Sequence, residues 1–151
     1  MLFLGGDYMD GNVELLNYIY QNSEMGVTTI NQLIGICDNE EYKALLQSQL
    51  TEYTNINKLA EEKINELNKE AKEINTFAKA STYMMINMKT LLDNSPSHIS
   101  EMLIQGGTMG IIDITKKIKE YPNANKEILD LADRLLKFEQ KNIEESKKYL
   151  K

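Results

Sequence analysis

Residues 34–46 read Ile34-Gly35-Ile36-Cys37-Asp38-Asn39-Glu40-Glu41-Tyr42-Lys43-Ala44-Leu45-Leu46, and this stretch decides the fold. Upstream, Leu16, Ile19, Tyr20, Ser23, Val27, Ile30, Ile34 and Cys37 recur at three- and four-residue steps. That is one stripe of an α-helix, ending near Cys37. Asp38 and Asn39 suit a helix start, because their side-chain oxygens accept from the orphan N–H groups of a first turn. Glu40 and Glu41 then sit at the positive end of the helix dipole. Downstream, Tyr42, Leu45, Leu46, Gln49, Tyr53, Ile56, Ala60, Ile64 and Leu67 make a second stripe, running to about Asn68. So short a break between two long helices implies an antiparallel hairpin.

The same pattern returns at the other end of the chain. Ser95 is a cap, Pro96 fits the first helical turn, and Leu103, Ile104, Gly107, Ile111, Ile114 and Ile118 form a stripe that stops before Pro122. Asn123 is the expected cap of a fourth helix, with Glu127 near its start and Ile128, Leu131, Ala132, Leu135, Phe138, Glu139, Asn142, Ile143, Ser146 and Leu150 along one face. Between the hairpins, residues 69–75 are polar, and a shorter apolar helix is expected over 77–92. A connection of this length can run the full length of a bundle. The expectation is therefore an all-α, up-down-down-up four-helix bundle over residues 12–151, with a short extra helix in the crossover. Asp10, Gly11 and Asn12 mark the expected start of the first helix, and residues 1–11, broken by Gly5-Gly6, read as a flexible N-terminal extension.

Composition narrows the function classes. A chain of 151 residues, 42% hydrophobic and 26% charged, supports one folded core without a disulfide or metal. Its 23 acidic against 17 basic residues give a net charge of -6, which argues against nucleic acid and anionic membrane partners. Lys116, Lys117 and Lys119 cluster at a helix C-terminus, where the dipole favours them. The single cysteine, Cys37, reads as a buried small apolar side chain and fits a reducing, cytoplasmic setting. No apolar run reaches a bilayer-spanning length, and Met1-Leu2-Phe3-Leu4 lacks the basic region of a signal peptide.

No complete catalytic, metal or cofactor motif is present, so no cofactor is expected. His98 and Glu101 share a helix face at metal-ligand spacing, but two ligands do not make a structural zinc site. Met84, Met85, Met88 and Met102, with His98 and Glu101, mark a region suited to an adaptable ligand or partner surface, or to core filling. Gly106-Gly107 weakens the third helix and suits either close packing or a kink that opens a small pocket.

A weak internal repeat links the two hairpins. Met25-Gly26 lines up with Met109-Gly110, Gln21 with Gln105, and Glu52-Tyr53-Thr54-Asn55-Ile56 with Glu139-Gln140-Lys141-Asn142-Ile143. Two such hairpins joined by a long crossover resemble the ferritin-like superfamily. In its di-iron members each hairpin supplies a carboxylate from its first helix and Glu-x-x-His from its second. Here Asn55 and Asn142 stand at the histidine positions, and Gln21 and Gln105 near those of the other carboxylates. The resemblance thus implies a bacterial member without the metal site, similar to spore-coat-like and uncharacterised branches. It further implies a binding or interaction module that forms homo-oligomers and leaves room for a protein partner. Two alternatives stay open: a metal-binding protein or oxidoreductase using Glu52 and Glu139, and a spore or envelope structural protein.

Helical phase separates the two glutamates. At about 100° per residue, Glu139 falls within its stripe while Glu52 turns away from the centre of its own. A buried carboxylate needs partners, and Gln49 and Tyr53 lie on the facing stripe. The sequence therefore points to a polar core cluster of Gln49, Tyr53, Glu139 and Asn142.

Overall fold

The computed structural model describes residues 2–69 and 93–151. Within them the chain forms four helices and no strand: α1 (Leu2–Ile36), α2 (Glu40–Glu66), α3 (Pro96–Glu120) and α4 (Lys126–Lys147). The short helix expected over 77–92, with Met84, Met85 and Met88, lies outside the described residues.

Local chemistry explains most helix ends. Asn39 caps α2, its Oδ1 accepting from the Tyr42 N–H at 2.9 Å. Ser95 caps α3 in the same way, its Oγ accepting from the His98 N–H, with Pro96 in the first turn. α2 closes in a Schellman arrangement: Asn68 adopts φ 57°, and the N–H groups of Asn68 and Lys69 return to the carbonyls of Asn65 and Ile64.

Two boundaries differ from the sequence reading. α1 begins at Leu2, ahead of the start expected at residues 10–12. Gly5, Gly6 and Gly11 lower helix propensity there, but no proline interrupts the hydrogen-bond ladder. The cap of α4 is Asn125, not Asn123. Its own side chain makes no capping bond. Instead Asn12 of α1 accepts from the Asn125 backbone N–H at 2.8 Å, so a tertiary contact sets this boundary.

The helices pair as two hairpins, α1 with α2 and α3 with α4; α1 then meets both α3 and α4, and α2 meets α4. One end of the assembly gathers the Asn12–Asn125 bond, Tyr121 against Gly11, and the Lys63–Glu127 ion pair. At the other end Asn94 donates to the Ile36 carbonyl, and Tyr42 meets Tyr149 edge-on with ring centroids 4.8 Å apart.

Among the described residues the buried apolar side chains form two clusters. The first, around Leu15, Leu16, Ile19, Ile56, Ile64 and Leu135, draws on all four helices. The second, around Ile30, Leu33, Cys37, Tyr42, Leu46 and Ile99, lies toward the α1–α2 turn. Each fully buried side chain of this size stabilises the fold by roughly 1.5–3 kcal/mol relative to exposure. Between the clusters runs a polar belt. Ser23 returns its hydroxyl to the Ile19 carbonyl at 2.8 Å, and Asn57 reaches across from α2 to the Tyr20 carbonyl and Ser23 Oγ at 3.1 and 3.2 Å. No helix among the described residues is long and apolar enough to cross a membrane.

Candidate functional site

A cavity of about 500 Å³ opens at the level of this belt, between the two hairpins. Each helix supplies part of it. α1 contributes Tyr18, Asn22, Met25 and Gly26; α2 contributes Gln49 and Tyr53. α3 contributes Met102, Leu103, Gly106, Gly110 and Asp113; α4 contributes Glu139, Asn142 and Ile143. The volume lies within the range of small-ligand sites.

Glycine lets two of the lining side chains pack close to a neighbouring helix. A Cβ on Gly26 would lie 2.5 Å from Cδ1 of the Tyr53 ring, and one on Gly110 would lie 3.1 Å from the Glu139 carboxyl carbon. The paired Met-Gly steps thus do one job in both hairpins: each lets a side chain of the partner helix lie flat against its own helix. Gly106, by contrast, faces open space at the cavity wall.

Gln49 and Glu139 are each only 3% exposed. Tyr53 donates its hydroxyl to Glu139 Oε2 at 3.5 Å, a long bond, and Asn22 also hydrogen-bonds the carboxyl group. Glu139 Oε1 and Gln49 Nε2 are buried with no hydrogen-bond partner among the described residues. Burial drives the Glu139 pKa up to about 7; the Asn22 and Tyr53 bonds pull it down, and the negative charge of Asp113 raises it. Burial, with the Glu139 charge beside it, also pushes the Tyr53 phenol well above its ordinary range. The carboxyl group is therefore poised to gain or lose a proton near neutrality.

The cavity brings together Gln49, Tyr53, Glu139 and Asn142, with Met102 on its wall. Glu52 is not part of it. Arg134 grips that carboxylate with two bonds, at 3.0 and 2.7 Å, in a second groove between α2 and α4 that shares Gln49 and Asn142 with the cavity. Asn55 is exposed, so the repeated Glu-x-x-Asn faces the cavity in one hairpin and turns away from it in the other. His98 and Glu101 approach to 3.8 Å in the first turns of α3, outside the cavity. Among the described residues no three His, Cys, Asp or Glu side chains gather as a metal site.

Sequence reasoning missed Asn22, Gly26 and Asp113 as neighbours of the cluster. The Met-Gly repeat was the available signal for the glycine positions. Asn22 and Asp113 lie beside apolar stripes and left no local signature. No protein-family model, curated protein or solved structure matches the chain.

Proposed function

We propose that this protein is a binding module that takes a small ligand with an apolar body into the cavity between its hairpins. One observation carries the reading: a cavity of about 500 Å³ is lined by Glu139 and Gln49, and a carboxyl oxygen of the first and the amide nitrogen of the second are buried with no partner among the described residues. Leaving such groups unmatched costs about 1–3 kcal/mol each, more when charged. A ligand that supplies the missing bonds recovers that cost. Met25 of α1 and Met102 and Met109 of α3 give a wall that adapts to shape.

The fold part of this reading is an up-down-down-up order, supported by the residue pairs that meet at each end of the assembly. Kinship with the ferritin-like superfamily is part of the same proposal. Support comes from the paired glycines Gly26 and Gly110 at equivalent places in the two hairpins. In this view the cavity occupies the level at which di-iron members hold their metals.

The test is amide NMR during titration with indole as a neutral apolar probe. Shifts should centre on Met102, Gly106, Tyr53 and Ile143. Gly106→Leu, which fills the wall from a position with open space around it, should abolish them. Shifts scattered over the surface, or unchanged by the leucine, would refute the reading.

A further inference from the structure

We infer that the ligand class of this cavity is an organic cation: a protonated amine on an apolar body, its ammonium group at Glu139. The inference rests on the reading of the cavity as a ligand site and names what that site selects.

The first observation is the charge of the lining. The chain carries 17 Lys and Arg residues, yet among the described residues none lines this cavity. The ionisable acids there are Glu139 at the floor and Asp113 toward the solvent. An anion entering would meet two carboxyl groups and, among the described residues, no compensating cation.

The second is the state of Glu139 itself. Oε2 receives the long Tyr53 bond, while Oε1 has no partner among the described residues. A buried carboxylate lacking a counter-charge is costly, so in the empty cavity the group favours its protonated form. An ammonium ion supplies both the charge and up to three donors. Gly110 keeps its Cβ position clear, leaving the carboxyl group room in front of α3.

The third is the wall. Tyr18 and Tyr53 place aromatic rings in the lining, and Met25, Met102 and Met109 offer polarisable apolar surface to the body of the ligand. Gln49 gives the lining a second polar group, able to bond a heteroatom of the ligand.

Binding should therefore couple to proton release. Among the described residues the titratable groups facing Glu139 are Tyr18 from α1, Tyr53 from α2 and Asp113 from α3. Both phenols are pushed above their ordinary range, Tyr18 to about 12, so neither titrates near neutrality. Glu139, with a pKa of about 7, must ionise to pair with the ammonium. Affinity should accordingly rise about tenfold between about pH 6 and about pH 8, with release of about one proton at the lower value.

The experiment is calorimetric titration of the whole chain with phenethylamine, phenethyl alcohol, hydrocinnamate and hydrocinnamamide, in buffers of differing ionisation enthalpy. The amine should bind at least about tenfold tighter than the alcohol at about pH 8, hydrocinnamate should not bind, and only the amine should release a proton. Glu139→Gln should shrink the amine-over-alcohol preference to about twofold and abolish the pH dependence. Asp113→Asn, at the exposed mouth, should lower amine affinity by about twofold. Equal or better binding of the alcohol, carboxamide or carboxylate overturns the cation inference while leaving the cavity reading intact. No binding of any probe, with the indole shifts also absent, overturns both.

Discussion

The Tyr53 hydroxyl lies 3.5 Å from Oε2 of Glu139, joining α2 of one hairpin to α4 of the other across the floor of the cavity. At that length the bond is weak. Burial outweighs it and holds the Glu139 pKa at about 7, and the pH dependence of stability follows.

Glu139 has a pKa of about 7 in the folded protein against an ordinary value of 4.5. The folded state therefore holds a proton that the unfolded chain has lost over that interval. Stability from this group is fully present below the ordinary value and is lost as pH rises through about 7. Glu139→Gln removes the penalty, and urea denaturation should show the variant more stable by about 2 kcal/mol at about pH 8 and near neutral in effect at about pH 4. A loss of several kcal/mol at the higher pH would show an ionised, paired carboxylate instead.

The glycines divide into two groups with opposite expected signs. Alanine at Gly26 would press on the Tyr53 ring, and at Gly110 on the Glu139 carboxyl. Each should cost about 1–3 kcal/mol from overpacking, even after the gain in helix propensity. Thermal denaturation of the two variants checks this, and a raised melting temperature in either would contradict the packing described.

Gly106 and Gly35 meet nothing within 4 Å of an added Cβ. Alanine there should raise stability by up to about 1 kcal/mol. Gly106→Ala should do so with little loss of probe binding, whereas Gly106→Leu should block it.

Tyr42 and Ser100 share a buried hydrogen bond of 2.7 Å between α2 and α3. Tyr42→Phe strands the Ser100 hydroxyl and should cost about 1–2 kcal/mol. Adding Ser100→Ala should return part of that loss. A double-mutant cycle with a coupling near zero would show that the two groups find other partners.

The Glu52–Arg134 pair joins α2 to α4 with good geometry but lies in solvent. Its coupling should be below about 1 kcal/mol and weaken with added salt. Arg134→Ala should leave probe binding in the cavity unchanged, because neither Arg134 nor Glu52 lines it.

Much of the architecture could be read from residue order. Asn39 and Ser95 announce their helices because capping is a bond between side chain and backbone within one turn. The inward placement of Glu139 follows from its spacing to Leu135, since phase on a helix is also local. The outward turn of Glu52 is legible in the same way.

Contacts between helices are another matter. Gln49 shares its stripe with the core of α2, yet which carboxyl group, tyrosine or asparagine it meets depends on the rotation and offset of one hairpin against the other. That is how Asn22 and Asp113, unremarkable in their own helices, come to face Glu139. It is also why Asn125 rather than Asn123 begins α4: the deciding bond comes from Asn12, far away along the chain. Periodicity and capping are chemistry within a few residues, so the order of amino acids settles the helices and their inward faces. The cavity exists because two glycine-relieved hairpins meet around side chains that no local rule brings together, and only the packing of all four helices sets that meeting.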